Sequence, residues 1–303
     1  MINQQILLTS RPAGEATAAN FMLVETPVPE LKDGQVLVRH HFLSLDPYMR
    51  GRMNDARSYA APQPLNEVMV GGTVGEVVAS RHPSYAAGDR VVGMGGWQQY
   101  SIASGGAMLR KVDASRIPLS AYLGAVGSVV GQLAKARGCR AVGVAGGREK
   151  CDYVVRDLGF DACIDYKQHA DAKSLYQALK AATPDGIHGH FENVGGAVLD
   201  AVLVRINDFG RIALCGMISG YDGKPIPLQQ PQLILTSRLL IQGFIVSEHM
   251  DVWPDALAEL GRLVAEGKLK YRETIAQGLE SAPEAFLGLL KGRNFGKQLV
   301  KLI

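Results

Sequence analysis

The pattern of apolar and polar positions changes rhythm about a third of the way along the chain. Before that point, short runs of alternating apolar and polar residues recur between turn residues. They cover residues 35–43 after Lys32-Asp33-Gly34, 68–78 broken by Gly71, Gly72 and Gly75, 88–94 opening on the turn Gly88-Asp89, and 97–102. Alternation over such lengths predicts strands, and several at this spacing predict a small β-barrel. Beyond it, helical and extended periods take turns. A helix over 128–136 places Val129, Val130, Leu133 and Ala134 on one side, and a strand over 140–144 follows. Helices over 149–158, 172–182 and 198–205 then alternate with strands over 162–166, 189–194 and 210–216. Such alternation predicts an α/β domain with a parallel, doubly wound sheet. A last helix spans 253–266, and 296–303 reads as a strand returning to the first domain. The expected division is residues 1–121 with 268–303 in one domain and 122–267 in the other.

Composition narrows the class. In 303 residues, 47% hydrophobic and 20% charged content is that of a globular enzyme, and a formal charge of +3 with dispersed basic residues gives no footprint for nucleic acid. No apolar run approaches a membrane span, and the first residues lack the basic start and apolar centre of a secretory signal. The four cysteines, Cys139, Cys151, Cys163 and Cys215, form no CxxC pair, and Cys163 and Cys215 read as buried reduced thiols. A cytoplasmic location is the expectation.

The glycine-rich turn from Gly124 to Gly131, with Ala125, Val126 and Gly127 between, opens a helix. Such a turn lets backbone N–H groups approach a phosphate at a helix N-terminus. The next strand ends in Gly146-Gly147-Arg148-Glu149-Lys150, where NAD sites carry a carboxylate for the ribose 2′-hydroxyl. Arg148 and Lys150 suit a 2′-phosphate instead, so the cofactor expected is NADP. The fingerprint also requires a strand directly before the glycine turn. The residues there, 117–123, are few, contain Pro118, and read as a linker or the start of a helix, so the first strand of the sheet is missing.

Five ordered motifs carry a resemblance: residues 46–53 (DPYMRGRM), 124–131, 191–196 (FENVGG), 216–221 (GMISGY) and 294–297 (NFGK). Together they resemble the zinc-independent medium-chain dehydrogenase/reductases that reduce activated alkenes, a family of prostaglandin, leukotriene, curcumin and plant double-bond reductases. The resemblance implies a GroES-like β-barrel catalytic domain and a Rossmann domain. It also implies NADPH-dependent reduction of the C=C bond of enones or enals, and a homodimer, for which 233–235 and 239–241 offer apolar runs. Family members carry a helix, a loop and the first Rossmann strand between segments like 121–124 and 125–127, which this chain joins directly. Either the chain has an internal deletion or the sequence omits a segment of a longer one.

Alkene reduction beside a carbonyl needs a hydride, donors for the enolate oxygen, and a proton. The resemblance makes Tyr221 the first candidate donor, the alternative being a tyrosine that closes a loop. Tyr48 is the second, the alternative being a core aromatic. For the cofactor it implies Lys150, Arg148 and Tyr166 at the 2′-phosphate and Gly124, Ala125, Val126 and Gly127 at the pyrophosphate. Asn193, Gly216, Ile218, Ser219, Phe244, Ile245, Val246 and Asn294 complete the cofactor set. The stretch 69–74 has none of the Cys, His or Glu ligands of the zinc-dependent relatives, so no catalytic metal is expected. His40, His41, His188 and His190 read as surface or structural residues. A quinone reductase is the second enzymatic reading, and a catalytically silent nucleotide-binding protein the reading that the missing strand favours.

Overall fold

The computed structural model describes all residues except Ala107, Met108, Arg116, Gly124 and Ala125. The chain divides into two compact units, Met1–Ala125 with Tyr271–Ile303, and Val126–Lys270.

The first unit opens with β1 (Ile2–Leu8), β2 (Phe21–Pro27), β3 (Val36–Ser44), the short helix α1 (Tyr48–Arg52), β4 (Glu67–Val68), β5 (Thr73–Ser80), β6 (Arg90–Gly93), β7 (Tyr100–Ala103) and β8 (Leu109–Lys111). β1 pairs antiparallel with β2 along its whole length and with β4 on its other edge. Residues 68–78, which read as a glycine-interrupted strand pair or one bent strand, fall in two strands, because Val68 pairs with Leu7 whereas Thr73 pairs with Leu43 and Gly93. Between them, a Cβ on Gly71 would come within 2.8 Å of Leu43 and 3.0 Å of Trp97, so only glycine lets the chain cross here. Trp97, fully buried, stacks on Phe21 at 5.3 Å and meets Phe286 edge-on at 5.5 Å, at the centre of the main core.

The second unit holds α2 (Val126–Ala136), β9 (Val142–Ala145), α3 (Arg148–Arg156), β10 (Ala162–Asp165), α4 (Ala172–Ala182), β11 (Ile187–Glu192), α5 (Gly196–Arg205), β12 (Ile206–Leu214), α6 (Gln232–Thr236), β13 (Leu240–Gly243) and α7 (Trp253–Ala265). Local chemistry sets these bounds. Asp171 caps α4 by accepting from Ser174 N at 2.7 Å, and the helix stops at Thr183, before Pro184. All strand pairs in this unit are parallel, but they form two sheets, β10-β9 and β11-β12-β13. No described strand joins β9 to β11. Both sheets nevertheless rest on the same apolar cluster, in which Val142 and Val144 of β9 and Ile187 of β11 meet Leu175, Leu179, Val198 and Val202 of α4 and α5. The single doubly wound sheet expected is therefore split. Leu119–Leu123 form a 3-10 turn, and the described residues between β8 and α2 supply no strand to close it.

The tail carries β14 (Glu273–Gln277), α8 (Ala282–Leu290) and β15 (Lys297–Lys301) and lies in the first unit. β15 pairs antiparallel with β3, Leu299 opposite Ser44, and parallel with β14. The resulting seven-stranded sheet runs β14-β15-β3-β5-β6-β8, with β7 also on β3. Its path is open, so the barrel expected from the sequence is instead an open sheet beside the three-stranded one. The ladder breaks at Gly71 and Gly72, where the chain passes from one sheet to the other.

Candidate active site

The ends of β9 and β10 gather one group of candidate residues. Tyr166 and Lys167 follow β10 directly and lie over Gly146, where a Cβ would be 2.9 Å from Lys167 Cε and 3.0 Å from the Tyr166 hydroxyl. Lys150 is in the first turn of α3. Partial burial, and then the nearby charge of Lys167, hold its pKa below the ordinary lysine value. Two ammonium groups and a phenol thus face one corner, where an anion would relieve the repulsion. The only carboxylate at the strand ends, Asp165, accepts from Gly147 N at 2.7 Å, Lys167 N at 3.1 Å and Gln168 Nε2 at 3.1 Å. Those bonds, Gly147 first, keep its pKa low and leave it shaping the loop. Arg148 projects into solvent, 3.9 Å from Asp152. Lys167 was not among the residues singled out in the sequence; its place directly after Tyr166 at a strand end was the available signal.

A second group lies at the ends of β11 and β12. Buried Glu192 accepts from Val194 N at 2.5 Å, Gly195 N at 3.0 Å and His190 Nε2 at 3.1 Å. Burial alone would push its carboxyl up, but these bonds outweigh it and the pKa lies below the usual range. The turn so fixed presents Asn193 O to Ile218 N at 3.1 Å and Val194 O to Ser219 N at 3.0 Å. A Cβ on Gly216 would stand 3.1 Å from the Tyr221 hydroxyl and 3.5 Å from Asn193 Oδ1. Asn193, Gly216, Ile218, Ser219 and Tyr221 are therefore neighbours. The Tyr221 hydroxyl accepts a long 3.4 Å bond from Met217 N, and burial raises its pKa, so it remains protonated. Phe244, just after β13, meets Phe191 edge-on at 6.0 Å, and Ile245 leads into an exposed Val246. Glu192, inside a motif but not itself chosen from the sequence, is the residue that holds this turn.

Val126 and Gly127 start α2 and are exposed; Gly124 and Ala125 lie outside the described residues. In the first unit Tyr48 heads α1, and burial, then the charge of Asp46, raise its pKa strongly. Asp46 is held by the Lys297 ammonium and the Ser44 hydroxyl. Lys297 also donates to Leu45 O at 3.4 Å, anchoring the tail to the loop before Tyr48. Asn294 is half-buried and donates to Gly296 O at 2.7 Å. Among the described residues no three His, Cys, Asp or Glu side chains converge as a metal site would require.

Comparison with known proteins fits this geometry. Residues 4–112 match a family described as the N-terminal domain of oxidoreductase, and residues 125–262 one described as zinc-binding dehydrogenase. The chain belongs to the medium-chain dehydrogenase/reductase family of oxidoreductases. Within that family it falls in the zinc-independent group of alkenal and enone reductases. It is 42% identical to the NADPH-dependent curcumin reductase of Escherichia coli K12, covering 99% of this chain and 97% of that one. It is 37% identical to an NADP-dependent 2-alkenal reductase of Nicotiana tabacum, covering 98% and 97%. The structure of CurA from Vibrio vulnificus in complex with NADPH superposes with a TM-score of 0.90 at 40% identity, covering 99% of each chain. The alignment with the E. coli enzyme runs over 338 positions against 303 residues here, an excess of 35.

Proposed function

We propose that the protein reduces the C=C bond of α,β-unsaturated ketones and aldehydes with NADPH. The observation that carries this reading is the identity with a curcumin reductase over nearly the whole of both chains. The lysine corner supports the cofactor half: Lys150, Lys167 and Tyr166 would hold the 2′-phosphate, with Arg148 at its rim. Gly124, Ala125, Val126 and Gly127 would meet the pyrophosphate. Asn193, Gly216, Ile218, Ser219, Phe244, Ile245 and Val246 would orient the ribose and nicotinamide, and Asn294 would reach the cofactor from the tail. When bound, NADPH supplies the hydride. The chain's own contribution is electrostatic: Tyr221 and Tyr48, both kept protonated by burial, would donate to the carbonyl oxygen as enolate charge develops. We infer a homodimer, supported by the edge strand β13 with its exposed Leu240 and by the exposed Leu235 of α6 before it. Four free cysteines suit a reducing, cytoplasmic location, and no helix among the described residues is long and apolar enough to cross a membrane.

The split sheet favours a second reading, a nucleotide-binding chain without turnover. NADPH oxidation with a simple enone, recorded with the intact mass of the same sample, separates the two. Turnover at a mass above 32.5 kDa supports the reductase and a longer chain. Absence of turnover at 32.5 kDa supports the silent reading.

A further inference from the structure

Cys151 and Cys163 are twelve residues apart in sequence, yet their sulfurs lie 3.1 Å from each other, the Cys163 thiol donating to Cys151 Sγ. The fold creates this approach. Cys151 sits in α3, and Cys163 pairs in register with Gly143 of β9. A Cβ on Gly143 would come 3.0 Å from Val154 Cγ1 and 3.4 Å from Cys163 Sγ, so the missing side chain leaves room for the sulfur beneath α3. Both cysteines line a cleft of about 430 Å³ with Arg148, Asp165, Gln168 and His169, which gives a small molecule a route to them. No other pair of the four cysteines makes such a contact among the described residues.

We propose that Cys151 and Cys163 form a covalent modification site, a dithiol that an organic hydroperoxide oxidises to an intrachain disulfide. In the first step the Cys151 sulfur attacks the peroxide: an S–O bond forms, the O–O bond breaks, and the alcohol leaves with the thiol proton. In the second, the Cys163 sulfur attacks the sulfenic acid: the S–S bond forms, the S–O bond breaks, and water leaves with the Cys163 proton. Two electrons pass from the dithiol to the hydroperoxide. Burial, and then the contact with Cys151, hold the Cys163 thiol above the ordinary range, which slows its attack, so it is the 3.1 Å contact with the Cys151 sulfur that favours the second step. A disulfide needs its sulfurs about 2.05 Å apart, so α3 and β10 must draw together. Arg148 and Lys150 immediately precede Cys151, and Tyr166 and Lys167 closely follow Cys163. Oxidation therefore distorts the lysine corner and weakens NADPH. This consequence rests on the NADPH reading above; the disulfide does not.

The test uses the reduced protein treated with tert-butyl hydroperoxide. The expected product has lost two hydrogens by intact mass, shows a Cys151–Cys163 cross-linked peptide, and returns to its starting mass with dithiothreitol. Cys163→Ser should instead accumulate a Cys151 sulfenic acid trapped by dimedone. Stepwise gain of oxygen in the wild-type chain, or a disulfide that persists in Cys163→Ser, overturns the site. Bound NADPH fluorescence should report an affinity about fivefold lower in the oxidised protein. Equal affinity in both forms, with the disulfide proven, overturns the coupling. Failure of the reduced form to bind NADPH would instead strike at the cofactor reading.

Discussion

Lys150, in the first turn of α3, and Lys167, just beyond β10, stand close enough for the charge of one to lower the pKa of the other. The nearby Glu149 carboxylate offsets that repulsion in part, and a bound phosphate would offset it further. Hydrogen bonds to charged groups contribute about 1.5–3 kcal/mol. Lys150→Ala and Lys167→Ala should therefore each weaken NADPH by about ten- to a hundredfold while leaving NADH affinity nearly unchanged. Titration of both dinucleotides against each variant checks this. Parallel losses for NADH would mean that the lysines support the fold rather than the 2′-phosphate.

The two tyrosines are separable by kinetics. If they donate to the developing enolate oxygen, Tyr221→Phe and Tyr48→Phe should lower kcat by about ten- to a hundredfold, since removing one such donor is a transition-state loss. Melting temperature should stay within a few degrees. Tyr221 also closes its loop through Met217 N. A Tyr221→Phe variant with unchanged kcat but reduced NADPH affinity would show that loop closure is its main role.

Buried His40 makes stability depend on pH. Burial, and then the neighbouring charge of His41, lower its pKa from 6.5 to about 3. Its Nε2 bonds Ser101 Oγ at 2.8 Å, and its Nδ1 has no partner. Because the folded-state pKa lies below the unfolded one, the unfolded chain takes up the proton first. Stability is then lost as pH falls from about 6.5 towards 3, by on the order of 4 kcal/mol. His41, also lowered, adds in the same direction. Melting curves at pH 7.5, 6 and 5 should decline steadily, and His40→Leu should flatten that slope whatever its absolute stability. An unchanged slope would assign the effect to other groups.

What was legible in the sequence depended on how local the cause was. The bounds of α4 follow from Asp171 and Pro184 alone, and they match residue for residue. The strand at 297–301 was visible as a short extended run after the turn at Gly296, and it pairs with β3 as well as with its near neighbour β14. The open path of the first unit was not visible, since alternation fixes which residues face inward but not whether the last strand meets the first. Nor was the work of Gly131: a Cβ there would fall within the Phe160 ring, a contact between α2 and a residue 29 positions on. Lys167, Glu192 and the Asp46–Lys297 pair escaped for the same reason. Each acts through a neighbour that only the fold supplies.

Val144 of β9 and Ile187 of β11 share one apolar cluster, yet their strands belong to different sheets. Among the described residues each strand is paired along one edge only, and unpaired backbone groups exchange with water. In a 303-residue chain, amides of β9 and β11 should exchange hydrogen faster than those of β3, which is paired on both sides. Inserting the corresponding segment of about 35 residues from the E. coli curcumin reductase after Gly124 should join the sheets. Exchange in β9 and β11 should then slow, and the melting temperature rise by about 10 °C or more. NADPH turnover with an enone should appear or increase by at least about a hundredfold, because the central strand carries the turn that fixes the pyrophosphate. If the 303-residue chain already protects β9 and β11 and turns over as fast as the extended one, the two sheets are sufficient and the central strand is dispensable for this reaction.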